Sequence, residues 1–320
     1  MSSTIWDIAH LGHVEMFTPK LEESTRFFTE ILGMYISAET ANSVYLRAYD
    51  DYEHHTLKLT AHVHAGIGHY AWRVRSDEIL QEKAGQIAAT PNAIGWTEGD
   101  LGHGKSYQFR MPSGHLTEIY FDTEKYQAEG DARSALKNTA SKFPARGMNV
   151  RRLDHINLLA QDVGTFQEFQ LYHVGGRITE TIRKDDGEVV GAWFSVNSKS
   201  YDLAITQDHV PDMQNRLHHV TYAVNSREEV LLAADIALEN GIHIETGPHK
   251  HAIQQTFFLY LYEPGGNRVE IANSTARLVL DPDYKTIFWS LKERKKGQAW
   301  GLQTVPSFHT HGTPRPEDLI

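Results

Sequence analysis

The chain repeats itself, and a repeat restricts the possible folds more tightly than any property of its parts. The stretch LGHVEMFTPKLEESTRFF (11–28) aligns with LDHINLLAQDVGTFQEFQ (153–170). Each reads as a strand carrying a histidine, then a loop, then an amphipathic helix. GHYAWRVRSDEIL (68–80) matches HHVTYAVNSREEVL (218–231), and PSGHLTEIYF (112–121) matches PGGNRVEIAN (264–273), with the order kept. Each half is double in turn, with strand–helix–strands at 11–64, 68–121, 153–206 and 217–272. The pattern predicts an α+β fold: four βαβββ modules in two tandem domains, each a curled, barrel-like mixed sheet enclosing a cavity with helices outside. Domains are expected over 1–147 and 148–285, meeting near Pro144–Gly147, and a His-, Pro- and Gly-rich arm or irregular cover over 286–320. At 320 residues there is chain enough for a core in each half.

Local signals support the modules. Ser226 with Glu229 forms a capping box, and that helix should end near Gly241. Leu21, Phe28, Ile31 and Leu32 make a helical stripe that stops at Gly33. VYLRAY (44–49), YDLAIT (201–206) and TFFLYLY (256–262) are aromatic and β-branched, as strands are.

Composition removes several function classes. The net charge of −10 and the lack of a long basic run argue against nucleic acid, and the densest basic cluster, KERKK at 292–296, reads as a solvated surface. No apolar run is long enough for a membrane span, and the opening MSSTIWDIAHLGH lacks the pattern of a signal peptide. With no cysteine, thiolate metal sites and disulfides are excluded, and a cytoplasmic location is expected. The 19 histidines leave imidazole and carboxylate as the means of holding a metal.

Within LYLYEPGGNRVEI (259–271), Glu270 sits between two branched aliphatics just past a turn. It faces solvent, or it points inward at a positive charge, since an unpaired buried carboxylate is costly. The repeat supplies companions. His13 and His155 lie on opening strands, His69 and His219 on the first strand of the next module, and Glu118 and Glu270 after the Gly turn. Two imidazoles and a carboxylate on one face leave positions open, as in non-haem Fe(II) oxygenases. Neighbours on a strand face opposite ways, and alignment with IGHYAW selects His219 over His218.

The run from His251 through Leu259, Tyr260, Glu263, Pro264, Gly266 and Glu270 resembles the signature of the type I extradiol ring-cleaving dioxygenases of the vicinal-oxygen-chelate superfamily. The resemblance spans roughly 5–285, and the family's members include catechol 2,3-dioxygenases and homoprotocatechuate 2,3-dioxygenases. It implies Fe(II), or Mn(II), held by His155, His219 and Glu270 in the C-terminal domain only, with a metal-free N-terminal domain. It implies His251 and Tyr260 as residues that touch substrate and oxygen, and Asn157 and Trp193 as pocket walls. The partners it implies are a catechol and O2, the product a 2-hydroxymuconic semialdehyde, and the assembly a homotetramer. Homoprotocatechuate is the alternative substrate, with Arg277 and Arg294 as candidate partners for its carboxylate. A glyoxalase-like lyase or isomerase is the alternative reaction on this scaffold.

Two positions depart from the family pattern. His249 stands where a small or β-branched residue is usual, and Tyr201 stands where many members carry an acid–base histidine. A tyrosine, with a reference pKa of ~10, donates a hydrogen bond but is a poor base at neutral pH. His209 is the nearby imidazole in sequence. In the N-terminal half the Tyr260 position holds Gln108 and the Asn157 position holds Glu15, which favours the C-terminal trio.

Overall fold

A computed structural model describes residues 6–273, 277–294, 298–301 and 303–319, so Lys295 and Lys296 of the basic cluster lie outside the described residues. The first module is β1 (Ile8–Thr18), α1 (Leu21–Arg26), β2 (Tyr35–Glu39), β3 (Ser43–Arg47) and β4 (Leu57–Ala61). The second is β5 (Gly66–Val74), α2 (Asp77–Ala88), β6 (Ala93–Thr97), β7 (Ser106–Arg110) and β8 (Leu116–Tyr120). The third is β9 (Arg152–Ala160), α3 (Val163–Phe169), β10 (Arg177–Arg183), β11 (Val189–Ser195) and β12 (Leu203–Gln207). The fourth is β13 (Arg216–Ala223), α4 (Arg227–Glu239), β14 (Ile244–Lys250), β15 (Phe257–Tyr262) and β16 (Arg268–Asn273).

These strands form one sheet per half, in the orders β2-β3-β4-β1-β5-β8-β7-β6 and β14-β15-β16-β13-β9-β12-β11-β10. Both follow one rule. The opening strands of paired modules lie antiparallel at the centre, and each joins the last strand of its own module in parallel. The four opening strands therefore sit mid-sheet, buried on both faces in β13, where every residue is buried.

The helices begin where side chains satisfy free amides. Ser76, Asp162 and Ser226 accept hydrogen bonds from the amides of Ile79, Thr165 and Glu229. Glu229 reaches back to the amide of Asn225 at 2.5 Å, one residue earlier than a strict capping box. α1 and α3 each run into a π-helical turn, Phe27–Ile31 and Gln170–Val174. Gly33, at φ +85°, then ends the first of these, a conformation that favours glycine.

Two expectations shift. The strand expected from Tyr201 starts at Leu203, because Asp202 instead closes the preceding turn by accepting from the Val196 amide and the Asn197 side chain, both at 2.9 Å. The segment after 285 is more ordered than an irregular cover. Its β17 (Ile287–Ser290) adds to the second sheet, parallel to β10. Further along, Thr313 exchanges backbone hydrogen bonds with Leu217. Arg268, fully buried, donates to the carbonyls of Ser307 and His311 and pairs with Glu245 at 2.6 Å. Among the described residues no helix is long and apolar enough to cross a membrane.

Candidate active site

The site is built on β-bulges. In each central pairing the residue just before the strand histidine is the extra one, opposed by no partner: Gly12, Gly68, Asp154 and His218. In the second half these bulged residues carry side chains that turn onto the next imidazole. Asp154 Oδ2 lies 2.8 Å from Nδ1 of His155, and Nδ1 of His218 lies 2.6 Å from Nδ1 of His219. His218 in turn meets the carbonyl of Phe308 at 2.7 Å through Nε2. A proton on Nε2 of His218 donates to that carbonyl, a proton on Nδ1 of His219 donates to His218, and Nε2 of His219 is left as an inward lone pair. Partners of this kind would fix the tautomer of a histidine that ligates a metal. The sequence rule that strand neighbours face apart excluded His218, and the bulge is why it nevertheless reaches His219.

His155, His219 and Glu270 each place one donor atom within 4.8 Å of the other two, and all three are buried. Nε2 of His155 is 2.9 Å, and Nε2 of His219 3.4 Å, from Oε2 of Glu270. Thr221 donates to the same oxygen at 2.6 Å. Nε2 of His219 and Oε1 of Glu270 are buried without a hydrogen-bond partner. Two orphaned, converging donors of this chemistry fit a divalent cation. Burial alone would raise the Glu270 carboxyl, but His155, then His219 and His251, bring it down to about 2. Burial works against a charge on His155, and Glu270 and Asp154 more than offset it, so its pKa is raised. Burial pushes His219 well below the usual range despite Glu270.

Two of the trio, His155 and His219, line an open-mouthed cavity with about 650 Å³ of empty space, open solvent included. Asn157, Trp193, Tyr201, His251 and Tyr260 all line it, as do Arg294, Thr304, Phe308 and His309. His251 stacks on Phe258 at 3.8 Å between centroids, and its Nε2 is 3.1 Å from the Tyr260 hydroxyl. Burial lowers His251 to about 4, so it is neutral at pH 7. Burial, reinforced by Glu270, raises Tyr260 and Tyr201 well above the ordinary phenol value, so both keep their protons. The Tyr201 ring lies 4.2 Å from that of His155, and its hydroxyl is 3.0 Å from Oγ1 of Thr256.

Other sequence candidates lie elsewhere. His209 lines a neighbouring cavity, His249 packs near Trp300, and Arg277 pairs with Glu180. Arg294 lines both cavities, and among the described residues no carboxylate pairs with it. The lining residues of the tail have no counterpart in the first half, so the repeat offered no signal for them. Asp154 did leave one, since an acid precedes the histidine where the first half has Gly12.

The first-half trio His13, His69 and Glu118 also converges, but its donor atoms are engaged. His69 Nδ1 meets Glu15 at 3.0 Å, its Nε2 meets Nε2 of His13 at 3.0 Å, and Gln108 donates to Glu118. The bulged Gly12 and Gly68 offer no outer partner. A Cβ on Gly12 would meet the Tyr120 hydroxyl at 1.9 Å, and one on Gly68 would meet Glu15 at 2.4 Å.

Comparison with known proteins agrees with this arrangement. The model of the Glyoxalase/Bleomycin resistance protein/Dioxygenase superfamily matches residues 10–119 and 152–271, one domain per half. A metapyrocatechase of Geobacillus stearothermophilus is 41% identical over 97% of this chain and 95% of its own. A manganese-dependent 2,3-dihydroxybiphenyl 1,2-dioxygenase of Geobacillus genomosp. 3 is 38% identical over 92% of this chain and 94% of its own. The solved homoprotocatechuate 2,3-dioxygenase of Brevibacterium fuscum, in complex with 3,4-dihydroxyphenylacetate, superposes with a TM-score of 0.85 at 27% identity, covering 97% of this chain and 93% of that one. With two matched domains, a shared two-sheet architecture and full-length likeness to ring-cleaving enzymes, the chain belongs to the extradiol dioxygenases of the glyoxalase/bleomycin resistance protein/dioxygenase superfamily.

Proposed function

We propose that this protein inserts both atoms of O2 into catechol or a simple substituted catechol, beside the diol, to give a 2-hydroxymuconic semialdehyde. The observation that carries the reading is the convergence of orphaned His219 Nε2 and Glu270 Oε1 with His155 next to the cavity. These three residues would hold Fe(II), with Mn(II) as the alternative. A bound divalent ion would gather the diol and O2 side by side and lower the pKa of the diol.

The chain's own residues do the rest. Asp154 and His218 hold the two imidazoles in the ligating tautomer. Tyr260, a protonated phenol, and His251, a neutral imidazole, sit 3.1 Å apart and together hold one proton at a substrate oxygen. Tyr201 also stays protonated and donates a hydrogen bond rather than acting as a base. Trp193 and Asn157 would wall the ring, and Phe308 lines the cavity from the tail side. The histidine and tyrosine donors would stabilise negative charge that develops on oxygen.

A catechol with an anionic substituent, such as homoprotocatechuate, is the second reading, and Arg294 favours it as a half-buried cation on the cavity wall that pairs with no carboxylate among the described residues. Oxygen uptake by the anaerobically loaded enzyme with catechol, 3-methylcatechol and homoprotocatechuate tests both. A yellow ring-fission product is expected, and no uptake with any diol would overturn the proposal. Metal analysis of protein purified without air decides between iron and manganese. A homotetramer, as the resemblance implies, would appear by light scattering, and the cytoplasmic location expected from the lack of cysteine would appear by cell fractionation.

A further inference from the structure

The first half contains a second cluster that the proposed reaction does not use. His13, His55 and His103 are all buried, and one ring nitrogen from each lies within 4.8 Å of the other two. His13 stands on β1, His55 just before β4, and His103 in the loop before β7. Strand register makes His55 the counterpart of Tyr201: β1 pairs Val14 with Leu57, as β9 pairs Ile156 with Leu203. The cup of the first half has thus gained an imidazole where the second half has a phenol.

Each ring has one nitrogen engaged by a neighbouring side chain and one left over. His103 Nε2 meets Oε2 of Glu53 at 3.0 Å, His55 Nδ1 meets Nδ1 of His54 at 3.1 Å, and His13 Nε2 meets Nε2 of His69 at 3.0 Å. The remaining atoms, His13 Nδ1, His55 Nε2 and His103 Nδ1, are buried and have no partner. Buried polar atoms are rarely left so, and three on rings whose centroids lie 4.2, 4.4 and 5.4 Å apart call for a common occupant. With ring protons directed outward, to Glu53, His54 and His69, all three inner nitrogens are lone pairs. A water has two hydrogens for three acceptors, whereas a cation satisfies them together. His69 then carries its proton on Nδ1, facing Glu15.

We propose that His13, His55 and His103 form a second metal site for an imidazole-preferring divalent ion, Zn(II) in the first instance. The surroundings suit the charge. Glu53 is buried, bonded to the Tyr120 hydroxyl at 2.6 Å as well as to His103, and supplies the carboxylate–histidine pairing found behind ligating imidazoles. The rings of His13 and His103 are stacked at 4.2 Å and 10°. Ligation therefore requires them to turn out of that stack until their nitrogens are ~3.3 Å apart around a tetrahedral centre. His13, His55 and His103 do not line the cavity beside His155 and His219, so the role is structural: the ion would pin the loops before β4 and β7 to β1.

The inference is independent of the dioxygenase reading. Crystals of the full-length protein grown with Zn(II), measured on both sides of the zinc absorption edge, provide the first test. An anomalous peak ~2.0–2.1 Å from the three nitrogens is expected, apart from any peak at His155, His219 and Glu270. A well-ordered cluster without such a peak overturns the proposal. Zinc retained after gel filtration provides the second. His219→Ala should keep the first-half equivalent, and H55Q and H103Q should each lose it while keeping the other. Retention of that equivalent by folded H55Q and H103Q would equally overturn the proposal.

Discussion

The Nδ1 atoms of His218 and His219 lie 2.6 Å apart, although adjacent residues on a regular strand point to opposite faces. The bulge at His218 brings the pair together, and the Phe308 carbonyl completes a line from the tail to the candidate metal ligand. Removing the outer partner should loosen the ligand without removing it. His218→Phe is expected to weaken Fe(II) binding ~10–100-fold, read by anaerobic metal titration. Unchanged affinity would remove His218 from the site.

Tyr201 offers a separation of binding from chemistry. Its hydroxyl is engaged with Thr256 and its ring packs on His155, so Tyr201→Phe removes one donor and little volume. If that donor acts on developing charge, kcat should fall ~100-fold while the catechol dissociation constant changes much less. An unchanged kcat would leave Tyr201 as a wall residue.

Arg294 should determine whether a charged substituent is welcome. Arg294→Met is expected to lower kcat/KM for homoprotocatechuate ~10–100-fold and leave that for catechol within about twofold. Equal losses for both substrates would assign Arg294 to the shape of the cavity rather than to recognition.

His115 ties the halves together and gives stability a pH dependence. It is buried between Ser113 and the carbonyl of Arg216, at 2.7 and 3.0 Å, and burial lowers its pKa from 6.5 to about 4. Because its folded pKa lies below its unfolded one, the unfolded chain binds more protons between about pH 4 and 6.5. Stability therefore falls as pH drops through that window. From pH 7 to pH 5 the His115 share is about 2 kcal/mol, and denaturant unfolding of His115→Gln should show a pH dependence smaller by that amount. An identical slope in the two proteins would contradict this.

Much of the fold was legible because modules, strand histidines and the glycine turns recur at matched places, as with His155 and His13. Trp193, Asn157, Tyr201, His251 and Tyr260 were marked by the family resemblance rather than by periodicity, and they do line one cavity. What stayed hidden depended on departures from regular geometry. Asp154 and His218 act through bulges, and periodicity predicts the opposite face for both. Phe308, Thr304 and Arg294 come from a segment with no repeat partner. The His13, His55 and His103 cluster joins loops whose approach no spacing encodes.

Arg268 has a consequence for how the molecule is made. It is fully buried, and its guanidinium grips carbonyls at Ser307 and His311, downstream of every strand that walls the cavity. A ribosome delivers those walls well before Phe308, which lies over His218 and Tyr260. Until the segment around 307–311 is made, the nascent enzyme is a roofless cup whose Arg268 is neutralised by Glu245 but lacks two of its carbonyl acceptors, and that segment supplies roof and acceptors at once.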